Sequence, residues 1–414
     1  MTFLTDNNFN LDALDCPQLL TTFIDEMERG LAGQGALPML PSGIFLKNLS
    51  PRNITVPAFD VGGTNTRATR ITFDAEGVPT FSSIQRGVMP GSQGEVNAST
   101  FYNQLCDTLC PTIANNERIG FCFSYPIDET GTLLFWTKKI QAAEVAGRNI
   151  VADLLVYLQQ RGYTGCSLRI LNDTVAALLA TYTHPEATTA AGCVGFILGT
   201  GTNTAYAEKT SAIRKAPHLP QTEVMPINCE SGNFNRFPKS TFDRIYDAQT
   251  KDEHAQWERC ISGVHLGSLG SIMLRTAAEQ GLLPSARDTL LSKDFTHVDL
   301  NRFCCGECPE LIPCSSSDNE TIRSLLIPLY ERAARFAAIN IAAAGIRSAR
   351  ANRKTSGTII VNADGSTFWK TSAIPFAERV TQTVETLLRP YHYNCQIIRV
   401  NEAPLLGAAI AALN

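Results

Sequence analysis

The sequence predicts an α/β protein built from two similar units. Strand-like and helix-like segments alternate along most of the chain, which is typical of α/β folds. One device also occurs twice. An apolar strand runs through a glycine–threonine turn into Thr-Asn-Thr and a second strand, in AFDVGGTNTRATRITF (58–73) and again in GFILGTGTNTAYAE (195–208). At 414 residues the chain has room for roughly two or three domains.

The N-terminal part predicts an amphipathic helix and a connector. Apolar residues such as Leu14, Phe23 and Met27 recur at helical spacing within 11–33. The Gly- and Pro-rich stretch GALPMLPSG (35–43) then interrupts that spacing and is predicted to be a loop.

Each unit is predicted to begin with its Gly-Thr hairpin, at about 56–73 and about 194–208. The first hairpin is followed by the strands IGFCFSY (119–125) and TLLFWTKKI (132–140), the helix NIVADLLVYLQQRG (149–162) and the strand LRILND (168–173). The second is followed by a long helix over 320–350, the strand GTIIVNADGS (357–366), a helix, the strand QIIRVN (396–401) and the tail GAAIAAL (407–413).

The composition is that of an ordinary globular protein. Hydrophobic residues make up 44% and charged residues 18%, and no apolar run reaches the roughly 18 residues of a membrane span. The net charge is −4 and no Lys/Arg block stands out, so neither a nucleic acid nor a membrane is an expected partner. The N-terminus lacks the layout of a signal peptide, and the thirteen cysteines lie mostly in apolar stretches. These features predict a cytoplasmic protein with reduced thiols.

The two glycine-rich turns predict anion binding. A turn of this kind leaves backbone N–H groups available to an anion, and no Cβ blocks close approach. Two such turns facing each other would grip a polyphosphate from both sides. The alternative is that both are ordinary hairpins whose glycines satisfy turn geometry. Because matching copies head both units, phosphate binding is favoured.

Asp173 is the candidate general base. It follows a strand-like segment and immediately precedes the helix-like VAALLA. The alternative is that Asp173 caps this helix, since Asn-Asp-Thr before an apolar run is a good capping sequence. Both roles are compatible, because a helix N-terminus favours the ionised carboxylate.

Eight segments together resemble the hexokinase/glucokinase family, in the family's order over about residues 35–414. They are FDVGGTNTR (59–67), FSYP (123–126), FWTKK (135–139), LNDTVAALLA (171–180), ILGTGTNTAY (197–206), INCESGNF (227–234), WERCISGVHLG (257–267) and VNADGST (361–367). The resemblance implies a two-lobed actin-like ATPase (ribonuclease H-like) fold with duplicated α/β domains and a central cleft. It places the small lobe at 57–172 plus 404–414, and the large lobe at 1–56 plus 173–403.

The resemblance implies a single catalytic unit that transfers the γ-phosphoryl group of Mg²⁺-ATP to the 6-hydroxyl of a hexose, with glucose foremost. A monomer or homodimer is expected. Three alternatives stay open: a kinase for another sugar or amino sugar, a catalytically silent sugar-binding relative, and an actin-like assembly protein.

The resemblance also assigns site residues. Asp173 and Lys138 are implied to be catalytic, and Asp60 is implied to hold Mg²⁺ through water. The implied sugar-binding residues are Ser124, Thr137, Lys138, Asn172, Asp173, Asn203, Glu230 and Glu258. The implied nucleotide-binding residues are Asp60, Gly62, Gly63, Thr64, Asn65, Arg67, Gly199, Thr200, Gly201, Gly263, Gly365 and Ser366. Lys138, Glu230 and Glu258 each have the alternative of a solvated surface role, and Arg67 has that of pairing with a structural carboxylate.

Several features depart from the family or lie outside it. Tyr125 stands where the family usually has Phe, and NEAPLLGAA (401–409) lacks the family's glycine-rich start of the final helix. Four cysteines, Cys304, Cys305, Cys308 and Cys314, predict an inserted loop of free thiols, with a zinc site as the alternative. No histidine is assigned a catalytic role.

Overall fold

A computed structural model describes residues 2–47, 49–128, 130–136, 140–250 and 253–414. The chain divides into two compact units. Unit 1 comprises Met1–Met39, Phe196–Thr204 and Cys229–Ile398, and unit 2 comprises Leu40–Gly195, Ala205–Asn228 and Arg399–Asn414. The lobe boundaries drawn from the family resemblance stay a prediction.

The described residues form fourteen α-helices. They are α1 Thr2–Asp6, α2 Cys16–Leu31, α3 Ala98–Leu109, α4 Ile150–Gln160, α5 Asp173–Thr181, α6 Thr241–Thr250, α7 Gln256–Ile261, α8 Gly263–Glu279, α9 Arg287–Ser292, α10 His297–Cys304, α11 Ser316–Ala351, α12 Ser366–Lys370, α13 Phe376–Leu388 and α14 Ala403–Ala412. Among these described helices, none is both long enough and apolar enough to cross a membrane.

The same residues form twelve β-strands. They are β1 Leu40–Pro41, β2 Ile54–Val61, β3 Asn65–Phe73, β4 Pro79–Phe81, β5 Gln85–Val88, β6 Arg118–Phe123, β7 Ser167–Leu171, β8 Gly192–Leu198, β9 Thr202–Lys209, β10 Val224–Asn228, β11 Gly357–Asp364 and β12 Tyr393–Ile398.

Unit 2 is organised around a sheet with the strand order β4-β3-β2-β6-β7, and β5 also pairs with β3. Strand β2 is antiparallel to β3 and parallel to β6, which is in turn parallel to β7. Strand β2 is buried from Val56 to Val61, as expected for a central strand with both faces covered. Unit 2 also contains the antiparallel arrangement β1-β10-β9.

Two glycines allow helix α14 to approach its neighbours in unit 2. A Cβ atom at Gly120 on β6 would lie 1.9 Å from the carbonyl oxygen of Ala408, and one at Gly407 would lie 2.0 Å from that of Ala176 on α5. Helix α14 is therefore packed against the sheet and against α5 at backbone-contact distance.

In unit 1 the strands follow the order β9-β8-β11-β12. Only the ends of β8 and β9 next to their shared turn, within Phe196–Thr204, belong to this unit. Strands β11 and β12 are parallel. The 36-residue helix α11 is buried along most of its length, and Phe336 on it stacks on Trp257 with the ring centroids 4.2 Å apart. A buried ion pair joins Arg332 of α11 to Asp243 of α6.

Most predicted elements are confirmed. Both Gly-Thr hairpins form, as β2–β3 and β8–β9, and α11 contains the predicted 320–350 helix. The predicted strand at 132–140 is wrong over the residues described, since only isolated bridges occur at Thr132 and Leu133. Leu134 and Phe135 are both exposed, so the segment lacks the alternation of a paired strand.

His297, at the start of α10, makes the stability of unit 1 dependent on pH. Its Nε2 lies 3.1 Å from the hydroxyl of Thr371, and its buried Nδ1 has no hydrogen-bond partner among the described residues. Burial lowers the pKa of His297 from its usual 6.5 to about 4. The unfolded chain therefore takes up a proton near pH 6.5 that the folded chain excludes until about pH 4.

We predict that the free energy of unfolding falls by about 1–2 kcal/mol between about pH 7 and pH 5 because of this histidine. A His297→Gln variant is expected to lose that part of the pH dependence, as measured by urea unfolding. The same substitution at exposed His218 is the control. An unchanged slope in the His297→Gln variant would contradict the assignment.

Candidate functional site

The first glycine turn joins β2 to β3 in unit 2. The Gly62 N–H donates to the Asn65 carbonyl at 3.0 Å, and the Tyr125 hydroxyl donates to the Gly62 carbonyl at 3.1 Å. Thr64 and Asn65 are exposed, whereas Gly62 and Gly63 are half-buried. The hydroxyl of Tyr125 thus ties the turn to the chain segment that follows β6.

The protein's own packing does not require glycine at position 62. Gly62 has no left-handed φ, and among the described atoms a Cβ there would meet only the Asn65 carbonyl oxygen, at an ordinary 3.5 Å. A side chain at this position would instead occupy the open face of the turn. The missing Cβ therefore fits a ligand that approaches the backbone closely.

Asp60 lies in the centre of the unit 2 sheet and is paired with Arg67. It is 3% exposed, and β-sheet register sets Arg67 of β3 and Cys122 of β6 opposite it. The Nε and Nη2 of Arg67 donate to Asp60 at 3.0 and 2.6 Å, and Nη1 contacts Glu402. Of the two partners predicted for Arg67, a phosphate or a structural carboxylate, the structure provides carboxylates.

The environment of Asp60 opposes its negative charge. Burial raises the pKa of Asp60 above its usual range, Arg67 offsets part of that rise, and the charge of Asp173 adds to it. Burial also raises the pKa of the Cys122 thiol well above normal, followed by the charges of Asp60 and Asp173. Asp60 and Asp173 are therefore near enough to interact within unit 2.

Helix α5 begins at the candidate base. The Asn172 side chain caps the helix by accepting from the Thr174 N–H at 2.9 Å. Asp173 occupies the first helical position, is half-buried, and accepts from the Thr174 hydroxyl at 3.2 Å. The capping role weighed for Asp173 thus belongs to Asn172, which leaves the Asp173 carboxylate available for another role.

Of the remaining predicted residues in unit 2, Ser124 follows β6 directly and is half-buried. Its N–H donates to the Val61 carbonyl at 3.1 Å, which places it beside the end of β2. Thr137 and Lys138 lie outside the described residues.

The second glycine turn, in unit 1, is fixed by hydrogen bonds to its Gly199 carbonyl. The Gly199 carbonyl accepts from the Gly263 N–H at 2.8 Å and from the Thr367 hydroxyl at 2.8 Å. A Cβ at Gly263 would lie 2.4 Å from that hydroxyl oxygen. Gly365 has φ +111°, and a Cβ there would lie 2.2 Å from the Leu198 carbonyl oxygen. These contacts bring the predicted adenosine-segment residues against the turn.

The outer side of this turn is not crowded, although Gly199 itself is buried. Gly199 has no left-handed φ, and the nearest atom that a Cβ would meet is the Gly365 Cα, at an ordinary 3.6 Å. Thr200 is exposed, and the Thr200 carbonyl accepts weakly from the N–H of Val264 in the first turn of α8. Ser366 follows Gly365 as the first residue of α12.

Three of the predicted sugar-binding residues form a cluster in unit 1. The Asn203 amide donates to Glu230 at 3.1 Å, and Glu258 accepts from the Thr202 N–H at 2.7 Å. A Cβ at Gly201 would lie 2.6 Å from the Glu258 carboxylate. Asn203, Glu230 and Glu258 are each half-buried. The solvated-surface alternative therefore fits neither glutamate.

Glu230 adopts a left-handed backbone conformation, with φ 51° and ψ 49°. Left-handed conformations cost free energy in residues with a side chain, and they concentrate at functional sites. Glycine would adopt this conformation at a lower cost in free energy. Glu230 instead places a carboxylate where it accepts a hydrogen bond from the Asn203 amide.

Three contributors were missed in the sequence. His265 Nε2 lies 3.8 Å from the carboxylate of Glu258, and its Nδ1 is 2.7 Å from the Tyr246 hydroxyl. His265 therefore contacts a residue that is predicted to bind the sugar. Its place in WERCISGVHLG was the available signal. Tyr125 and Glu402 lie at positions that depart from the family pattern, and both contact the segment FDVGGTNTR (59–67): Tyr125 contacts Gly62, and Glu402 contacts Arg67.

The cysteine cluster shows no metal-binding geometry. Cys304, Cys305, Cys308 and Cys314 are free, and Cys305 is exposed with its sulfur 3.2 Å from the Ser372 hydroxyl. Across the described ranges, no three His, Cys, Asp or Glu side chains are grouped to hold a metal ion.

Each unit presents groups that are suited to phosphoryl transfer. Unit 2 offers an open glycine turn next to two interacting carboxylates. Unit 1 offers a glycine turn with an exposed Thr200, next to two glutamates and an amide that are suited to bind hydroxyl groups. Phosphoryl transfer depends mainly on positioning and charge neutralisation, and such groups can supply both.

Known proteins match this chain along its length. A hexokinase family model matches residues 193–414 and a second matches residues 5–183. Hexokinase-1 of Oryza sativa subsp. japonica is 31% identical over 268 residues, or 59% of this chain and 53% of the relative. The hexokinase of Emericella nidulans is 29% identical over 402 residues, or 87% of this chain and 79% of the relative. The chain thus spans only about half the length of the rice protein.

Among solved structures, a Schistosoma mansoni hexokinase complexed with glucose superposes with a TM-score of 0.79 at 24% identity, covering 100% of this chain and 98% of that one. A second hexokinase structure gives 0.72 at 23% identity, covering 96% of both chains. These likenesses show the predicted two-lobed actin-like ATPase fold. Since the first family model covers more than half of the sequence, the chain belongs to the hexokinase family.

Proposed function

We propose that this protein is a hexose kinase that transfers the γ-phosphoryl group of Mg²⁺-ATP to the 6-hydroxyl of glucose or a related hexose. The observation that carries the proposal is the start of α5. Asn172 takes over the capping of that helix, so Asp173 has no structural duty that accounts for a carboxylate there. Family membership supplies the reaction class.

Asp173 is proposed as the general base that accepts the proton of the 6-hydroxyl. Its position at the first residue of α5 favours the ionised form, because the helix N-terminus carries a partial positive charge. The Thr174 hydroxyl donates to one carboxylate oxygen, which limits rotation of the side chain and leaves the other oxygen for substrate. Lys138 is proposed as a second catalytic residue by resemblance.

Asp60 is proposed to hold Mg²⁺ through water. It lies two residues before Gly62, and the described residues contain no cluster of three ligands. This fits an ion that takes most of its ligands from water and nucleotide phosphates. Burial raises the pKa of Asp60, and the charge of Asp173 adds a smaller rise. A nearby cation would favour the ionised carboxylate. When bound, Mg²⁺ would neutralise charge on the transferred phosphate.

The sugar-binding proposal rests on the unit 1 cluster. Carboxylates of Glu230 and Glu258 accept hydrogen bonds from sugar hydroxyls, and the Asn203 amide is oriented by Glu230. Half-buried acceptors of this kind discriminate strongly, because an analogue without the hydroxyl leaves them unpaired. Ser124, Thr137, Asn172 and Asp173 are proposed to contact the same sugar. Glucose is bound in the Schistosoma mansoni structure, and it is the first substrate to test.

The nucleotide is proposed to bind through backbone rather than through charged side chains. Gly62, Gly63, Thr64 and Asn65 form one phosphate turn, and Arg67 acts by holding Asp60 in place. Gly199, Thr200 and Gly201 form the other. Gly263, Gly365 and Ser366 provide the adenosine contacts, since Gly263 and Gly365 already pack on the Gly199 turn.

Replacing Asp173 by Asn tests the base. The amide keeps the size of the side chain and can still accept from Thr174, but it cannot accept a proton. We expect kcat to fall by about 10²–10⁴-fold in an ADP-release assay with glucose and Mg²⁺-ATP. Asp288→Asn, at a fully exposed aspartate, is the matched control. Turnover of Asp173→Asn within a few-fold of wild type would remove the proposed mechanism.

Replacing Glu258 by Gln tests sugar binding. The substitution removes an anionic acceptor while preserving the length of the side chain. We expect the KM for glucose to rise about 10–100-fold, with a smaller effect on the KM for ATP. Exposed Glu253, five residues earlier, provides the control Glu253→Gln. An equal rise of both KM values would instead indicate a general loss of structure.

Replacing Gly62 by Ala tests close approach of a phosphate. Because nothing in the described structure requires glycine there, we expect the free energy of unfolding to stay within about 1 kcal/mol of wild type. The KM for ATP should nevertheless rise about tenfold or more, since the new methyl occupies the face used by the phosphate. Gly94→Ala, where a Cβ meets no atom within 4 Å, is the control. An unchanged KM for ATP in Gly62→Ala would refute the phosphate role.

A further inference from the structure

A cavity in unit 1 has no part in the proposed reaction. It has a volume of about 450 Å³ and lies among the N-terminal segment that follows α1, the residues around α6, and helix α11. That volume is within the range of small-molecule sites in proteins. The cavity is formed from one unit and contains none of the residues proposed for sugar or nucleotide binding.

The lining combines cationic and apolar side chains. Of its twelve described residues, three are basic, Lys239, Arg244 and Arg332, and none is acidic. Phe9 and Phe336 are among the apolar ones. The guanidinium of Arg332 lies over the Phe9 ring, 4.4 Å from the centroid. A ligand there would meet positive charge and aromatic surface together.

The positive charge around the cavity is not balanced by the acidic side chains that contact it. Arg332 is paired with Asp243, and Lys239 is paired with Asp247. Arg244 is exposed and forms no ion pair with any described residue. The three cations of the lining therefore meet two carboxylates, which leaves the charge of Arg244 without an ion-pair partner among the described residues.

Arg332 also has unused hydrogen-bonding capacity. Its two terminal nitrogens donate to Asp243 at 2.7 and 2.8 Å, but its Nε is buried without a hydrogen-bond partner among the described residues. The whole side chain is only 5% exposed. Buried donors are normally paired, so an unpaired one in the wall of a cationic cavity is a second indication of an absent acceptor.

We propose that this cavity binds a small phosphate monoester with an aromatic or apolar body. A phosphate monoester is negatively charged at neutral pH, which suits a site with an arginine that has no ion-pair partner, and its oxygens suit Arg and Lys donors. Phe9 and Phe336 provide the surface for the apolar body. The site is independent of the proposed kinase function.

Isothermal titration calorimetry with 1-naphthyl phosphate tests the site. We expect saturable binding at one site per chain, and binding about tenfold or more weaker in Arg244→Gln because one charged hydrogen bond is lost. Arg244 is exposed, so the variant should fold normally. Arg287→Gln changes the net charge equally at another exposed arginine and should bind like wild type. The neutral alcohol 1-naphthol should bind at least about tenfold more weakly than the phosphate.

The Asp173→Asn variant separates this site from the proposed kinase site. It should bind 1-naphthyl phosphate as wild type does, whether or not its turnover is lost. The proposal is overturned if wild type binds no 1-naphthyl phosphate at millimolar concentration, or if Arg244→Gln and Arg287→Gln bind it equally well. Equal affinity for 1-naphthol would also overturn it.

Discussion

A carboxylate buried in the middle of a β-sheet must be paired, and that constraint organises unit 2. Asp60 lies in central strand β2, and the antiparallel register of β2 and β3 sets Arg67 directly opposite it. A shift of one residue would leave both charges unpaired and would turn the buried face of β3 outward. The ion pair therefore fixes the hairpin, and the hairpin fixes the position of the Gly62 turn. Arg67 extends the pairing to Glu402, which precedes α14.

The glycines in and beside the two turns are present for different physical reasons. Gly201, Gly263 and Gly365 are required by the fold, because a Cβ at each would overlap a carboxylate, a hydroxyl or a carbonyl oxygen. Gly62 and Gly199 have ordinary backbone angles, and a Cβ at either would meet only ordinary van der Waals contacts, at 3.5 Å or more. The sequence motif makes no distinction between these two kinds of glycine. Only the structure separates the crowded positions from those at which a side chain would meet no close contact, and at the latter a bound group is what could require glycine.

Much of the architecture could be predicted because it depends on local pattern. The Gly-Thr hairpins and the long helix α11 are visible in periodicity and turn residues alone. The strand predicted over 132–140 does not form in its described part, because the side chains there do not alternate between two faces. Leu133 and Trp136 pack inward, whereas the neighbouring Leu134 and Phe135 are both exposed. Contacts such as His265 with Glu258, and the cavity beside Arg332, join distant parts of the sequence. They follow from tertiary packing, which no spacing rule encodes.

Two departures from the family pattern contact the segment FDVGGTNTR (59–67) and add hydrogen bonds to it. Tyr125 keeps an aromatic ring in the core of unit 2 and adds a hydroxyl that holds the Gly62 carbonyl. Glu402 adopts a left-handed conformation at φ 51°, which the family's glycines would reach without strain. The carboxylate of Glu402 gives Arg67 a second ion-pair partner. Burial alone would lower the pKa of Arg67, but the charges of Asp60 and Glu402 raise it. Arg67 is thereby kept charged and fixed, so the carboxylate it holds keeps one orientation. The contacts of Arg67 with Asp60 and Glu402 thus hold the Asp60 side chain in the orientation on which the proposed chemistry depends.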